Sequence, residues 1–251
     1  MADISLGIPV FDSARFLNEL FANLRALDPL PAEIVFLDDA SNDDSAARIE
    51  RFIAEHGAAL RARLLRNVRN SGIASAYNRL VREARGEFVQ LLDADDLMAD
   101  TDYYARVQPA LRSDVDLVVT GLRSNACLLD ACSRLLGVLV PRQPPRWWPL
   151  LGSFATRAGV IYRRQRLLDL PFPDPAWPGS DVIHLLTLRA RANCAFLAKP
   201  RVFYRVHDAA QSSQQRDHDT YRHALAAFDR PTRLMHRLDL DLRTVGQRWM
   251  R

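Results

Sequence analysis

The stretch Phe88-Val89-Gln90-Leu91-Leu92-Asp93-Ala94-Asp95-Asp96 decides how this chain is read. Its first five residues form an apolar run that reads as a buried strand, and the chain leaves that strand straight into three carboxylates within four positions. In open α/β sheets ligands bind beyond the carboxyl ends of the strands, so the acids stand where a binding crevice is expected. Crowded carboxylates repel one another. A hard divalent cation, Mg²⁺ or Mn²⁺, relieves that repulsion and keeps coordination positions open for phosphate oxygens. For an isolated motif this short, a solvated acidic turn is the competing reading.

Working toward the amino terminus, the pattern repeats. Residues 4–10 read as a strand, Leu17, Leu20, Phe21 and Leu24 fall at helical spacing, and residues 33–37 form a second strand ending in Asp38-Asp39. Two strands thus deliver acids to one sheet edge. A helix is expected over 45–55, a short strand over 63–65, and a helix bearing Ile73, Tyr77, Leu80, Val81 and Ala84 on one face. Asp12 or Ser13 is expected to cap the first helix and Ser71 the third, with Gly86 closing the third in a left-handed conformation.

Toward the carboxyl terminus, residues 103–111 read as helix and 116–122 as a buried strand, which makes the class α/β. Prolines are dense over 141–178, around Trp147-Trp148, with one strand-like piece at 159–162. Residues 180–191 read as helix, 196–204 as strand and loop, and 220–251 as arginine-rich helical segments.

Composition excludes several classes. The 251 residues are 48% hydrophobic, as expected of a soluble chain with a buried core. Cys127, Cys132 and Cys194 form no CxxC pair, so neither a disulfide framework nor a zinc knuckle is expected, and a reducing cytoplasmic setting fits. Residues 1–10 lack the pattern of a signal peptide, and no apolar run is long enough to span a bilayer. The net charge of +4 comes almost wholly from arginine, Lys199 being the one lysine, and does not by itself argue for nucleic acid. The arginines that gather over 201–251 make anionic headgroups or phosphates plausible partners.

Four elements in order, Ile8-Pro9-Val10-Phe11, Asp38-Asp39-Ala40-Ser41, Asn70-Ser71-Gly72, and Gly86-Glu87-Phe88 leading to Asp93-Ala94-Asp95-Asp96, resemble the family 2 glycosyltransferases. The resemblance covers about the first hundred residues and implies a GT-A fold with a mostly parallel central sheet. It implies a donor-binding half over 1–122 and an acceptor-binding half over 123–251 with the C-terminal helices. It also implies that Asp39 accepts a hydrogen bond from a nucleotide base, that Pro9 and Phe11 line the base and ribose pocket, and that Asn70 belongs to the donor site. In the acidic cluster, Asp95 would ligate a metal, Asp93 would face ribose or metal, and both acids with Ala94 between them would belong to the donor site. The sequence departs from the family pattern at Ala40, where a glycine is usual, and at Tyr77, where many members carry arginine before the asparagine, here Asn78.

Further on, Gly179-Ser180-Asp181 resembles the family's Glu-Asp pair at a helix start, which makes Asp181 the implied general base. Read from the residues alone, it is an acid stabilising a helix N-terminus. Tyr204-Arg205-Val206-His207 resembles a Tyr-Arg-x-His element, from which Arg205 would screen a diphosphate and His207 would join the metal shell. The implied activity is an inverting sugar transfer from a nucleotide-sugar, with UDP the commonest nucleotide, to a saccharide or lipid-linked acceptor. Arg146-Trp147-Trp148 suits a headgroup layer and equally a sugar-stacking surface or a core. A sugar nucleotidyltransferase is the rival of another class, and it lacks support because residues 9–12 offer no glycine-rich basic loop. A noncatalytic nucleotide-sugar-binding protein of the same fold is the other rival.

Overall fold

The computed structural model describes residues 2–125, 157–174, 184–185, 187–188 and 192–207. The first half alternates strictly: β1 (Ile4–Val10), α1 (Ala14–Arg25), β2 (Glu33–Asp38), α2 (Ser45–Leu60), β3 (Ala62–Arg66), α3 (Ile73–Glu83) and β4 (Phe88–Leu91). There follow β5 (Leu97–Met98), α4 (Tyr103–Val107) running into a 3₁₀ turn at Gln108–Ala110, β6 (Leu117–Ser124), β7 (Val160–Arg163), α5 (Arg164–Asp169) and β8 (Cys194–Tyr204). The strands form one mixed sheet in the order β3-β2-β1-β4-β7-β6-β8-β5. β1 is parallel to β2 and β4, and β2 to β3, while β7 runs antiparallel to both β4 and β6.

This order explains why the acids matter. From β1 the chain winds outward to β2 and β3, then crosses back to place β4 on the other side of β1. The crevice at such a reversal lies beyond the carboxyl ends of the strands beside it, here β1, β2 and β4. β1 is central, so all seven of its residues are buried. Ile4, Leu6 and Ile8 face a core built with Leu17, Leu20 and Leu24 of α1 and with Ile49 and Phe52 of α2. Val35, Leu37, Val89 and Leu91 face the opposite core, closed by Tyr77, Leu80 and Val81 of α3. At about 25 cal/mol per Å² of apolar surface, burial of such side chains on both faces is what holds the strand ends in register.

Several local expectations are corrected. α2 continues to Leu60, five residues past the expected end, and stops at left-handed Arg61. Neither Asp12 nor Ser13 caps α1. The Ala14 N–H donates instead to Asp43 Oδ2 at 3.0 Å, and the Ser13 N–H to Ser45 Oγ at 3.0 Å, so the turn after β2 closes the helix after β1. Ser71 does not cap α3 either, because its hydroxyl is turned to Asp39. Gly86 is not left-handed. A Cβ there would lie 2.8 Å from the Asp3 carbonyl oxygen and the Ser5 nitrogen, so the residue is small to let the turn before β4 press against β1. Among the described residues, no helix is long and apolar enough to cross a membrane.

Candidate functional site

At the carboxyl end of β2, Asp39 is buried to 4% exposure. Its carboxylate accepts the Ser71 N–H at 3.0 Å, the Ser71 hydroxyl at 2.8 Å, the Gly72 N–H at 3.0 Å and the Asn67 side-chain amide. The charge therefore sits on the N-terminus of α3, where unpaired amide donors and the helix dipole favour an anion. Asn70 Oδ1 accepts the same Gly72 N–H at 2.9 Å, which folds the 67–72 loop into a compact turn. Gly72 takes a φ of 82°, and Ala40, in the family's glycine position, takes a φ of 61°. An L-residue there carries a backbone cost of about 1–2 kcal/mol.

At the carboxyl end of β4, the oxygens of Asp93, Asp95 and Asp96 lie within 4.8 Å of one another. At an effective dielectric constant of about 20, each like-charge pair at that distance costs about 3 kcal/mol. Asp96 is buried to 1% exposure, and its carboxyl is pushed up to about 8 by burial first and by the Asp93 and Asp95 charges next. The Arg205 N–H, donating to Asp96 Oδ1 at 3.0 Å, and the Arg157 charge offset only part of this.

Cations from distant parts of the chain close on the cluster. Arg157 Nη2 donates to Asp93 Oδ2 at 2.8 Å, and the Tyr77 hydroxyl donates to Asp93 Oδ1. The Arg157 guanidinium lies 4.1 Å from the centre of the Tyr77 ring. Asp95 Oδ2 meets His207 Nε2 at 2.9 Å, and the His207 ring packs 5.0 Å from that of Phe16. Arg205 Nε donates to the Asp95 carbonyl at 2.9 Å, while its Nη2 pairs with Glu19 at 2.6 Å. The three carboxylate oxygens fit a hard divalent ion, since oxygen donors are what Mg²⁺ or Mn²⁺ accepts, and the His207 imidazole lies against one of these carboxylates.

The structure thus brings Asp93, Asp95, Arg205 and His207 into one group, with Ala94 buried between the acids. Asp39 and Asn70 form a second group on the other side of the end of β1. Pro9 is buried opposite Leu37, and Phe11 is 43% exposed just past the strand. Asp181 lies outside the described residues, as do Trp147, Trp148 and the arginine-rich segment beyond residue 207. Arg205 lies beside the acids, where its guanidinium engages Glu19 and the Asp95 carbonyl. Sequence reasoning missed Arg157, which stands in no motif, and Asn67 and Glu19. Tyr77 was noticed only as a departure, yet it touches the cluster directly.

This architecture is that of the GT-A transferases. Residues 5–167 match the Glycosyl transferase family 2, and the chain belongs to that family. Among solved structures, Staphylococcus aureus TarS residues 1–349 in complex with UDP-GlcNAc superposes with a TM-score of 0.64 at 20% identity, covering 88% of this chain and 64% of that one. The mannosyltransferase PcManGT from Pyrobaculum calidifontis in complex with GDP-Man and Mn²⁺ superposes with a TM-score of 0.64 at 21% identity, covering 84% and 60%. In sequence, the undecaprenyl-phosphate 4-deoxy-4-formamido-L-arabinose transferase of Pseudomonas fluorescens is 33% identical over 144 residues, which is 55% of this chain and 41% of that protein. The matches span about two fifths of the length of such curated relatives.

Proposed function

We propose that the protein transfers a sugar from a nucleotide-sugar, a UDP-sugar first among the candidates, to a saccharide or lipid-linked acceptor with inversion at the anomeric carbon. The observation that carries this reading is the pairing, across the end of β1, of the Asp39–loop 67–72 wall with the Asp93/Asp95/Asp96–His207 cluster. In it, Pro9, Phe11, Asp39 and Asn70 receive the nucleoside. Asp95 and His207, with the oxygens of Asp93 and Asp96 in reach, hold a divalent ion. Bound there, Mn²⁺ or Mg²⁺ supplies Lewis-acid stabilisation of the charge that develops on the departing diphosphate. Arg205 steadies the acidic turn through the Asp95 carbonyl and adds positive charge beside it. Asp181 removes the proton from the acceptor hydroxyl as that oxygen attacks.

Residues 1–122 form the donor half in this reading, and 123–251 the acceptor half. The relatives support the chemistry: solved neighbours of the fold hold UDP-GlcNAc or GDP-Man with Mn²⁺, and a curated relative is named for transfer to undecaprenyl phosphate. A lipid-linked acceptor would bring the protein to the cytoplasmic membrane surface, where Trp147, Trp148 and the arginines past residue 207 have suitable chemistry. The test is release of nucleoside diphosphate from a panel of UDP-, GDP- and dTDP-sugars with Mn²⁺ or Mg²⁺. Release is expected from one donor class and is lost in Asp95→Ala; release that survives the substitution removes the metal role.

A further inference from the structure

Asp93 is held differently from its neighbours in the cluster. One of its oxygens accepts the Tyr77 hydroxyl and the other accepts Arg157 Nη2 at 2.8 Å. The guanidinium lies against the Tyr77 ring, and the Arg157 side chain is 17% exposed. The arginine is not a loose arm. It precedes Ala158 and Gly159, whose carbonyls accept Gln90 Nε2 at 2.8 Å and Thr120 Oγ1 at 3.0 Å. The Tyr103 hydroxyl joins these two donors, accepting from Gln90 Nε2 at 3.0 Å and lying 2.9 Å from Thr120 Oγ1, and the whole network is buried. Strand β4 therefore does two things. It delivers Asp93 at its end, and through Gln90 it anchors the turn that brings Arg157 to meet it.

We propose that Tyr77 and Arg157 are a positioning pair that withholds the Asp93 carboxylate from the cation, leaving the ion to Asp95 and His207 and keeping Asp93 for the donor's nucleoside part. The inference rests on the function proposed above and divides its acidic cluster into two tasks. A carboxylate paired with a guanidinium and a phenol on separate oxygens is a poor ligand for a second cation, because its charge is already compensated and Arg157 repels the incoming ion. Its remaining lone pairs still accept hydrogen bonds from neutral hydroxyls. Position 77 itself supplies only a neutral phenol, and the positive charge on Asp93 comes from Arg157, 64 positions beyond Asp93 in the chain.

The experiment measures two affinities in the full chain and in Tyr77→Phe, Arg157→Ala and Arg157→Lys. Mn²⁺ alone is titrated by the loss of its free-ion paramagnetic resonance signal, and UDP and GDP are titrated by calorimetry at saturating Mn²⁺. Freeing Asp93 is expected to tighten Mn²⁺ threefold or more while weakening the nucleoside diphosphate about tenfold, with Arg157→Lys between the wild type and Arg157→Ala. Damage to the fold moves both affinities downward together. Mn²⁺ affinity that falls or stays level in both Tyr77→Phe and Arg157→Ala overturns the pair's role. Wild-type protein that binds UDP or GDP but no Mn²⁺ overturns the metal reading and the inference with it. Wild-type protein that binds Mn²⁺ but neither nucleotide overturns the donor reading, and the Mn²⁺ arm then decides against the pair unless both variants tighten the ion.

Discussion

Two acidic strand ends stand on either side of β1, and they solve the same electrostatic problem in opposite ways. Asp39, at the end of β2, is surrounded by neutral donors: two backbone amides, a hydroxyl and a side-chain amide, all from residues 67–72. The three acids past β4 have mixed partners, with the Arg157 guanidinium on Asp93, the His207 imidazole on Asp95 and the backbone amide of Arg205 on Asp96. Dipoles satisfy one buried carboxylate completely. They cannot satisfy three within 4.8 Å of one another, and the carboxyl of Asp96 is pushed up to about 8, by burial first and by the Asp93 and Asp95 charges next. Residue type and position at a strand end do not separate the two; the number of acids brought together makes only the second a candidate metal site.

The largest expected effect falls on the acidic cluster past β4. Asp95→Ala is expected to lower Mn²⁺-dependent nucleoside diphosphate release by about 100-fold or more, with little change in urea stability, as measured by coupled product assay and chemical denaturation. Next comes the dipole-dependent side. Asp39→Ala strands the Ser71 and Gly72 amides and is expected to cost about 1–3 kcal/mol of stability while leaving affinity for Mn²⁺ alone within twofold of the wild type. Loss of Mn²⁺ affinity in that variant would mean that the two ends act as one site.

Glu33, at the amino end of β2, sharpens the contrast away from the site. Burial acts to raise its carboxyl, but the Ser5 hydroxyl, the Arg85 N–H and Arg63 outweigh burial and hold it below its ordinary 4.5. A depressed carboxyl adds stability above the ordinary value and loses it as pH falls through the lowered one. The stability lost between about pH 7 and about pH 3 is therefore expected to be smaller in Glu33→Gln, read from urea midpoints at both values. The smallest effect belongs to Ala40→Gly, which removes the left-handed strain after Asp39 and is expected to raise stability by about 1 kcal/mol in the same assay.

Much of the first half was legible because its signals are local. Ile4–Val10, Glu33–Asp38 and Phe88–Leu91 are strands where apolar runs indicated them, and α1 and α3 bury the faces marked by Leu17, Leu20, Tyr77 and Leu80. Helix ends were less legible. Capping was expected from the nearest polar residue, whereas Asp43 reaches the start of α1 across 29 positions, a contact that exists only once β1 and β2 lie side by side. Ser71 differs from its expected capping role for the same reason, since Asp39, 32 residues earlier, takes its hydroxyl.

The amino-acid sequence by itself determined the β-α-β alternation, the two acidic strand ends and the motif order that marks the family, because periodicity and short motifs are written in neighbouring residues. Only the tertiary structure decided which charges meet. Arg157 reaches Asp93 across 64 positions and Arg205 reaches Asp95 across 110, because β7 pairs with β4 and β8 closes the sheet beside β5. Strand order is a property of the whole packed sheet, and the pairing of side chains at its edge follows from that order.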